Sequence, residues 1–71
     1  MGRSNLKNNM RKLRFNASEM TQQELADKLE VSRQTIIAIE AGKYSPTLEL
    51  AFKIAKIFDV ALEDVFQYIE E

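Results

Sequence analysis

Apolar positions recur at helical spacing along most of the chain and fall into five short blocks. Leu6, Met10 and Leu13 stand at i, i+4 and i+7, which predicts a first helix that buries this stripe. Its N-cap is Asn8 or Asn9, with residues 1–7 as an arm, and Asn16 to Glu19 read as a loop. Thr21-Gln22-Gln23-Glu24 is a capping box, in which Thr21 Oγ takes the third helical amide and Glu24 reaches back to the Thr21 amide. The second helix runs from there to about Leu29 and buries Leu25, Ala26 and Leu29. Ser32 caps a third helix, Arg33 to Ala41, with Ile36 and Ile39 inward, and Gly42 suits the left-handed position that closes it. Tyr44-Ser45-Pro46 is a turn, and Thr47 caps a fourth helix to about Phe58. Residues 62–66 make a short fifth helix. Phe66-Gln67-Tyr68-Ile69 partly alternates, which leaves open a short strand against residues 5–7.

The predicted fold class is therefore all-α: a compact five-helix bundle forming one domain over residues 1–71, with a tail at 67–71 and the option of a short terminal strand pairing. Met1-Gly2-Arg3-Ser4 also reads as a cloning remnant. Composition narrows the function. With 71 residues, no cysteine and no histidine, disulfides, thiolate metal sites and the commonest neutral-pH general base are all excluded. Ser18 and Ser45 have no base beside them, so nucleophilic catalysis is without support. No catalytic residue, metal site, cofactor or small-molecule site is expected. No apolar run approaches the ~18 residues of a membrane span, and no signal-peptide core follows the basic N-terminus.

The net charge of −1 conceals a gradient. Residues 1–16 carry +5, residues 17–31 carry −3, residues 32–58 carry +2 and residues 59–71 carry −5. Only local potential steers a polyanion, so a chain with this balance can still present one basic face. The alternative is a solubilising acidic tail that follows a basic first helix.

Helices two and three are separated only by Glu30-Val31-Ser32. A three- to four-residue turn sets such a pair at roughly 90–120°, which is helix-turn-helix geometry. The second member then stands out from the body, and its N-terminus can enter the ~12 Å major groove. With Ile36 and Ile39 inward, Arg33, Gln34, Ile37 and Ala38 lie on or near the outer face. Arg33 offers a planar fork of donors to guanine O6 and N7, Gln34 both donates to and accepts from adenine, and Ile37 can meet a thymine methyl. The competing arrangement rotates the third helix so that Ile36, Ile37 and Ile39 are all core.

Thr21-Gln22-Gln23-Glu24-Leu25-Ala26, Val31-Ser32-Arg33-Gln34-Thr35-Ile36 and Ile39-Glu40-Ala41-Gly42-Lys43-Tyr44-Ser45-Pro46 together resemble the Cro/phage-repressor (xenobiotic-response-element) helix-turn-helix family. The likeness is to its short, stand-alone prokaryotic regulators and spans about residues 8–66. It implies that Gln22 grips a phosphate and braces Arg33. It also implies that Ser32, Thr35, Lys43, Tyr44 and the free amides at Thr47 and Leu48 meet the backbone. Arg14 resembles the first-helix arginine that pairs with the glutamate ending the recognition helix, here Glu40. Two positions depart from the family pattern. Glu30 stands where the turn usually has Gly, so a locally adjusted turn is expected, and the loop before Met20 is one residue longer.

Helix four is apolar on more than one side, with Leu48, Ala51, Ala55 and Phe58 on one line and Leu50, Ile54 and Ile57 on another. So small a domain has too little interior for these and the apolar tail. The surplus points to a homodimer interface at Phe52, Phe58, Val65, Phe66, Tyr68 and Ile69, unless the tail folds back within the monomer. The expected function is a prokaryotic, cytoplasmic, sequence-specific regulator that binds double-stranded DNA, a repressor on an inverted repeat. The alternative is a protein-interaction module of antitoxin-like type.

Overall fold

Hydroxyl side chains start three of the five helices in the computed structural model, which describes residues 5–70. The chain order is β1 (Leu6–Asn8), α1 (Met10–Asn16), α2 (Gln22–Leu29), α3 (Arg33–Glu40), α4 (Leu48–Phe58), α5 (Leu62–Val65) and β2 (Phe66–Tyr68). Thr21 Oγ1 accepts from the Glu24 amide at 3.0 Å, and Glu24 Oε1 accepts from the Thr21 amide at 2.8 Å. Ser32 Oγ accepts from the Thr35 amide and Thr47 Oγ1 from the Leu50 amide, each at 3.2 Å. Such first-turn amides have no acceptor one turn back within the helix, although the Thr35 amide also reaches Ser32 O at 3.1 Å, and each such cap contributes about 1 kcal/mol.

The helix ends are closed just as locally. After α2, α3 and α4 the chain folds back through paired bonds: Val31 and Glu30 amides to Ala26 and Asp27, Lys43 and Gly42 to Ala38 and Ile39, Val60 and Asp59 to Ala55 and Lys56. This closure needs one left-handed residue. Gly42 supplies it at φ +75°, but Glu30 and Asp59 adopt it at φ +60° and +56°. The expected adjustment around Glu30 does not occur. The closing bonds to Ala26 and Asp27 require the left-handed conformation, and a residue with a Cβ accepts its strain. Glu30→Gly should therefore raise stability by about 1 kcal/mol, seen as a higher urea midpoint at unchanged slope. A lower midpoint would show that the turn is not strained.

Met10, Leu25, Ala26, Leu29, Ile36, Ile39, Ile54, Ala55 and Val65 form one core to which all five helices contribute. Leu13, Leu50, Ile57, Phe58 and Phe66 are half-buried against it. Three expectations change. Val65 is fully buried, so it belongs to the monomer's core and not to an interface. Phe58 and Phe66 likewise spend part of their surface on this core. Leu48 is 69% exposed, off the buried line of Ala51 and Ala55, because no described element covers the first turn of α4 on that side.

The ends of the chain pair instead of trailing. β1 and β2 are antiparallel, with Leu6 opposite Tyr68, Lys7 opposite Gln67 and Asn8 opposite Phe66. The Ile69 amide adds a bond to Asn5 O at 2.8 Å, and the Asn9 amide one to Val65 O at 2.9 Å. Leu6 is thus a strand residue and not the first turn of α1. The helix starts at Met10, whose amide is taken by Asn8 Oδ1 at 3.1 Å. Within the arm Leu6 and Lys7 are strand residues, and within the tail Gln67 and Tyr68, while the expected remnant at residues 1–4 lies outside the described residues. α5 stops at Val65, one residue short, because Phe66 is already extended at φ −124°, ψ 137°.

Candidate nucleic-acid interface

Ile36 and Ile39 are buried, and this orients α3. Arg33, Gln34 and Ile37, at i, i+1 and i+4, are exposed, and Ala38 is half-buried beside them. Ile37 is 39% exposed, which excludes the rotated arrangement with three core isoleucines. Eight helical residues extend about 12 Å, and a helix with its side chains is ~10–12 Å wide, matching the major groove. α2 and α3 make the most extensive contact between helices, so the exposed face stands on a braced pair. Thr35 is half-buried, its hydroxyl 3.0 Å from Ser32 Oγ.

A polar knot holds α3 from its far end. Arg14 Nε and Nη2 donate to the two carboxylate oxygens of Glu40 at 2.7 and 3.0 Å. Arg14 Nη1 donates to Met20 O at 2.8 Å. Gln22 Nε2 donates to Glu40 Oε1 at 3.1 Å. One guanidinium therefore joins α1, the loop before α2 and the last turn of α3, with side chains only 13% and 9% exposed. The glutamine that the resemblance aims at Arg33 instead reaches Glu40. Both partners lie on other elements, and spacing alone gives no signal for that choice. Asn8 was expected only as a cap, and for the same reason its second contact had no signal: its amide donates to Ile39 O at 3.0 Å, tying β1 to the end of α3.

Around α3 the surface is polar and open. Arg11, Arg14, Thr21, Gln22, Gln23, Arg33 and Glu40 line one shallow depression at the start of α2. On the other flank Lys43, Tyr44, Thr47 and Leu48 are all exposed, between the end of α3 and the first turn of α4. The backbone amide of Leu48 lies in that first turn, where helix geometry provides no intrahelical acceptor. Phe52, Tyr68 and Ile69 are exposed, unlike the buried Val65. A separate apolar groove is lined by Leu6, Pro46, Leu48, Leu62, Phe66 and Tyr68. Among the described residues no helix is long and apolar enough to cross a membrane.

Comparison with known proteins agrees with this geometry. A family model described as helix-turn-helix matches residues 10–65. An uncharacterized HTH-type transcriptional regulator of Methanocaldococcus jannaschii is 65% identical over 52 residues, covering 73% of this chain and 79% of its own. The Bacillus subtilis regulator YgzD, likewise uncharacterized and HTH-type, is 44% identical over 66 residues, covering 93% and 98%. In structure, a candidate DNA-binding protein from Bacteroides fragilis superposes with a TM-score of 0.75 at 21% identity, over 87% of this chain and 98% of that one.

Proposed function

Because the chain belongs to the helix-turn-helix family, we propose that it binds double-stranded DNA and regulates transcription, as a repressor on an inverted-repeat operator in the prokaryotic cytoplasm. The names carried by its archaeal and bacterial relatives support the regulatory reading. It is not an enzyme: its family is helix-turn-helix, and these relatives carry the name of transcriptional regulators. The observation that carries the reading is the exposed Arg33-Gln34-Ile37 face on a helix whose opposite side is locked in the core. Residues 1–71 act as a single DNA-binding unit in this reading.

Phosphate contacts set register and base contacts set sequence. Gln22, Ser32, Thr35, Lys43, Tyr44 and the amides at Thr47 and Leu48 take the first role, on the two flanks of α3. Arg33, Gln34, Ile37 and Ala38 take the second. A phosphate oxygen only accepts, so the Ser32 and Thr35 hydroxyls must donate to it. Because Ser32 Oγ and Thr35 Oγ1 share one proton between them at 3.0 Å, the pair has one hydroxyl proton to offer. Arg14 and Glu40 touch no base and instead fix the angle at which α3 is presented.

Two copies are needed to read an inverted repeat. The dimer surface is the exposed apolar part of the expected one, Phe52, Tyr68 and Ile69, together with the groove between Leu48, Leu62 and Tyr68. The subunit is 34 Å in its longest dimension, and twofold symmetry would set the two α3 helices about one DNA turn, ~34 Å, apart. Leu48→Gln removes apolar area without touching the core, so it should convert a dimer into a monomer in sedimentation equilibrium. An unchanged mass would move the interface elsewhere. The function itself is tested by selecting bound duplexes from a randomised pool. An inverted repeat with half-site centres ~10 base pairs apart is expected. No consensus, together with no gel shift at low salt, would refute it and favour a protein-binding module.

A further inference from the structure

The depression beside α2 holds three arginines and one glutamate, a balance of +2. Most of its polar side chains are already committed. Arg14 and Glu40 neutralise each other, and the Gln22 amide group is held by Glu40. Gln23 Nε2 donates to Asp27 Oδ1 at 2.9 Å, and Thr21 Oγ1 accepts from the Glu24 amide. Among the described residues only the ion pairs Arg14–Glu40 and Lys53–Glu49 form. The whole excess charge of the depression therefore rests on Arg11 and Arg33.

Arg33 belongs to the base-reading face. Arg11 is exposed on α1, and it also lines an adjoining hollow with Arg14, Phe15, Glu19, Met20 and Thr21, so it sits where the two depressions meet. We infer that Arg11 is a DNA-backbone clamp, which extends the interface from the helix pair onto α1. Its guanidinium takes a phosphate of the strand that crosses the start of α2 while Arg33 enters the groove. The inference rests on the DNA-binding reading. Lys12, its chain neighbour, carries the same charge and is also exposed, but it lines neither depression. A helical step of about 100° turns it away.

That pair of neighbours supplies the test. Arg11→Ala and Lys12→Ala change net charge identically, so only a contact at one of them separates the two. Affinity for a selected operator and for random duplex is measured by fluorescence anisotropy across a salt series. Loss of one phosphate contact lowers the salt slope by about 0.9, equivalent to about fivefold weaker binding at 0.15 M and about fifteenfold at 0.05 M. Arg11→Ala should show this loss on both duplexes, Lys12→Ala should show less than half of it, and Arg11→Lys should restore the slope. Equal slopes for the two alanine variants, with the unmodified protein binding normally, would overturn the clamp alone. Failure of the unmodified protein to bind any duplex would overturn the clamp together with the DNA-binding reading.

Discussion

Arg14→Ala should cost about 3 kcal/mol of folding stability, read as a lower urea midpoint by circular dichroism. The substitution removes two charge-assisted bonds to Glu40 and one to the Met20 carbonyl. It leaves a carboxylate, 9% exposed, with only the Gln22 amide. Breaking a buried pair from one side typically costs 3–5 kcal/mol, because the survivor keeps its desolvation penalty. The low end applies here, since some water reaches both groups. A chain of this length has only about 4–10 kcal/mol in total, so the variant would keep about 1–7 kcal/mol. Arg14→Lys keeps the charge but not the fork, and should fall between the two. Adding Glu40→Leu to Arg14→Met should recover most of the loss, since no charge is then stranded. A loss below about 1 kcal/mol for Arg14→Ala would mean that the pair behaves as a solvated surface bridge.

Arg33→Ala should leave stability nearly unchanged, because the side chain is exposed and makes no ion pair among the described residues. Its effect falls on binding. Loss of a bidentate contact to guanine costs about 1–3 kcal/mol, or roughly 5- to 150-fold in affinity for the selected operator. Random duplex should be affected far less, so the specificity ratio falls with the affinity. Selection repeated with the variant should return a consensus relaxed at one position of each half-site. An unchanged consensus with an equal loss on all duplexes would make Arg33 a phosphate contact and pass base reading to Gln34 and Ile37. This pattern is the opposite of the one expected at Arg11, so the two arginines can be told apart in one titration series.

The boundaries of α2, α3 and α4 were legible within a residue, and so was the inward turn of Ile36 and Ile39. The candidate reading face follows from that turn. Legibility failed where a residue's state depends on a distant element. Glu30 was expected to relax its turn and did not. Leu6 keeps helical spacing with Met10, yet β2 claims it. Val65 looked as available as Tyr68, but one is sealed and the other 66% exposed.

What the chain's order of residues determined by itself is local. A cap is a bond across three residues, and an αL closure spans six, so Thr21, Ser32, Thr47 and Gly42 act almost regardless of what surrounds them. The spacing of Ile36 and Ile39 then fixes which side of α3 is buried and which, with Gln34 and Ile37, can be wet. Tertiary structure alone decided the rest. Burial of an apolar side chain depends on which other element arrives to cover it, as α5 carries Val65 into the core while no described element covers Leu48. The partner of a charge is likewise set in three dimensions. Folding brings Arg14, Gln22 and Glu40 together from three helices, and by neutralising Arg14 it leaves Arg11 and Arg33 to carry the charge of that depression.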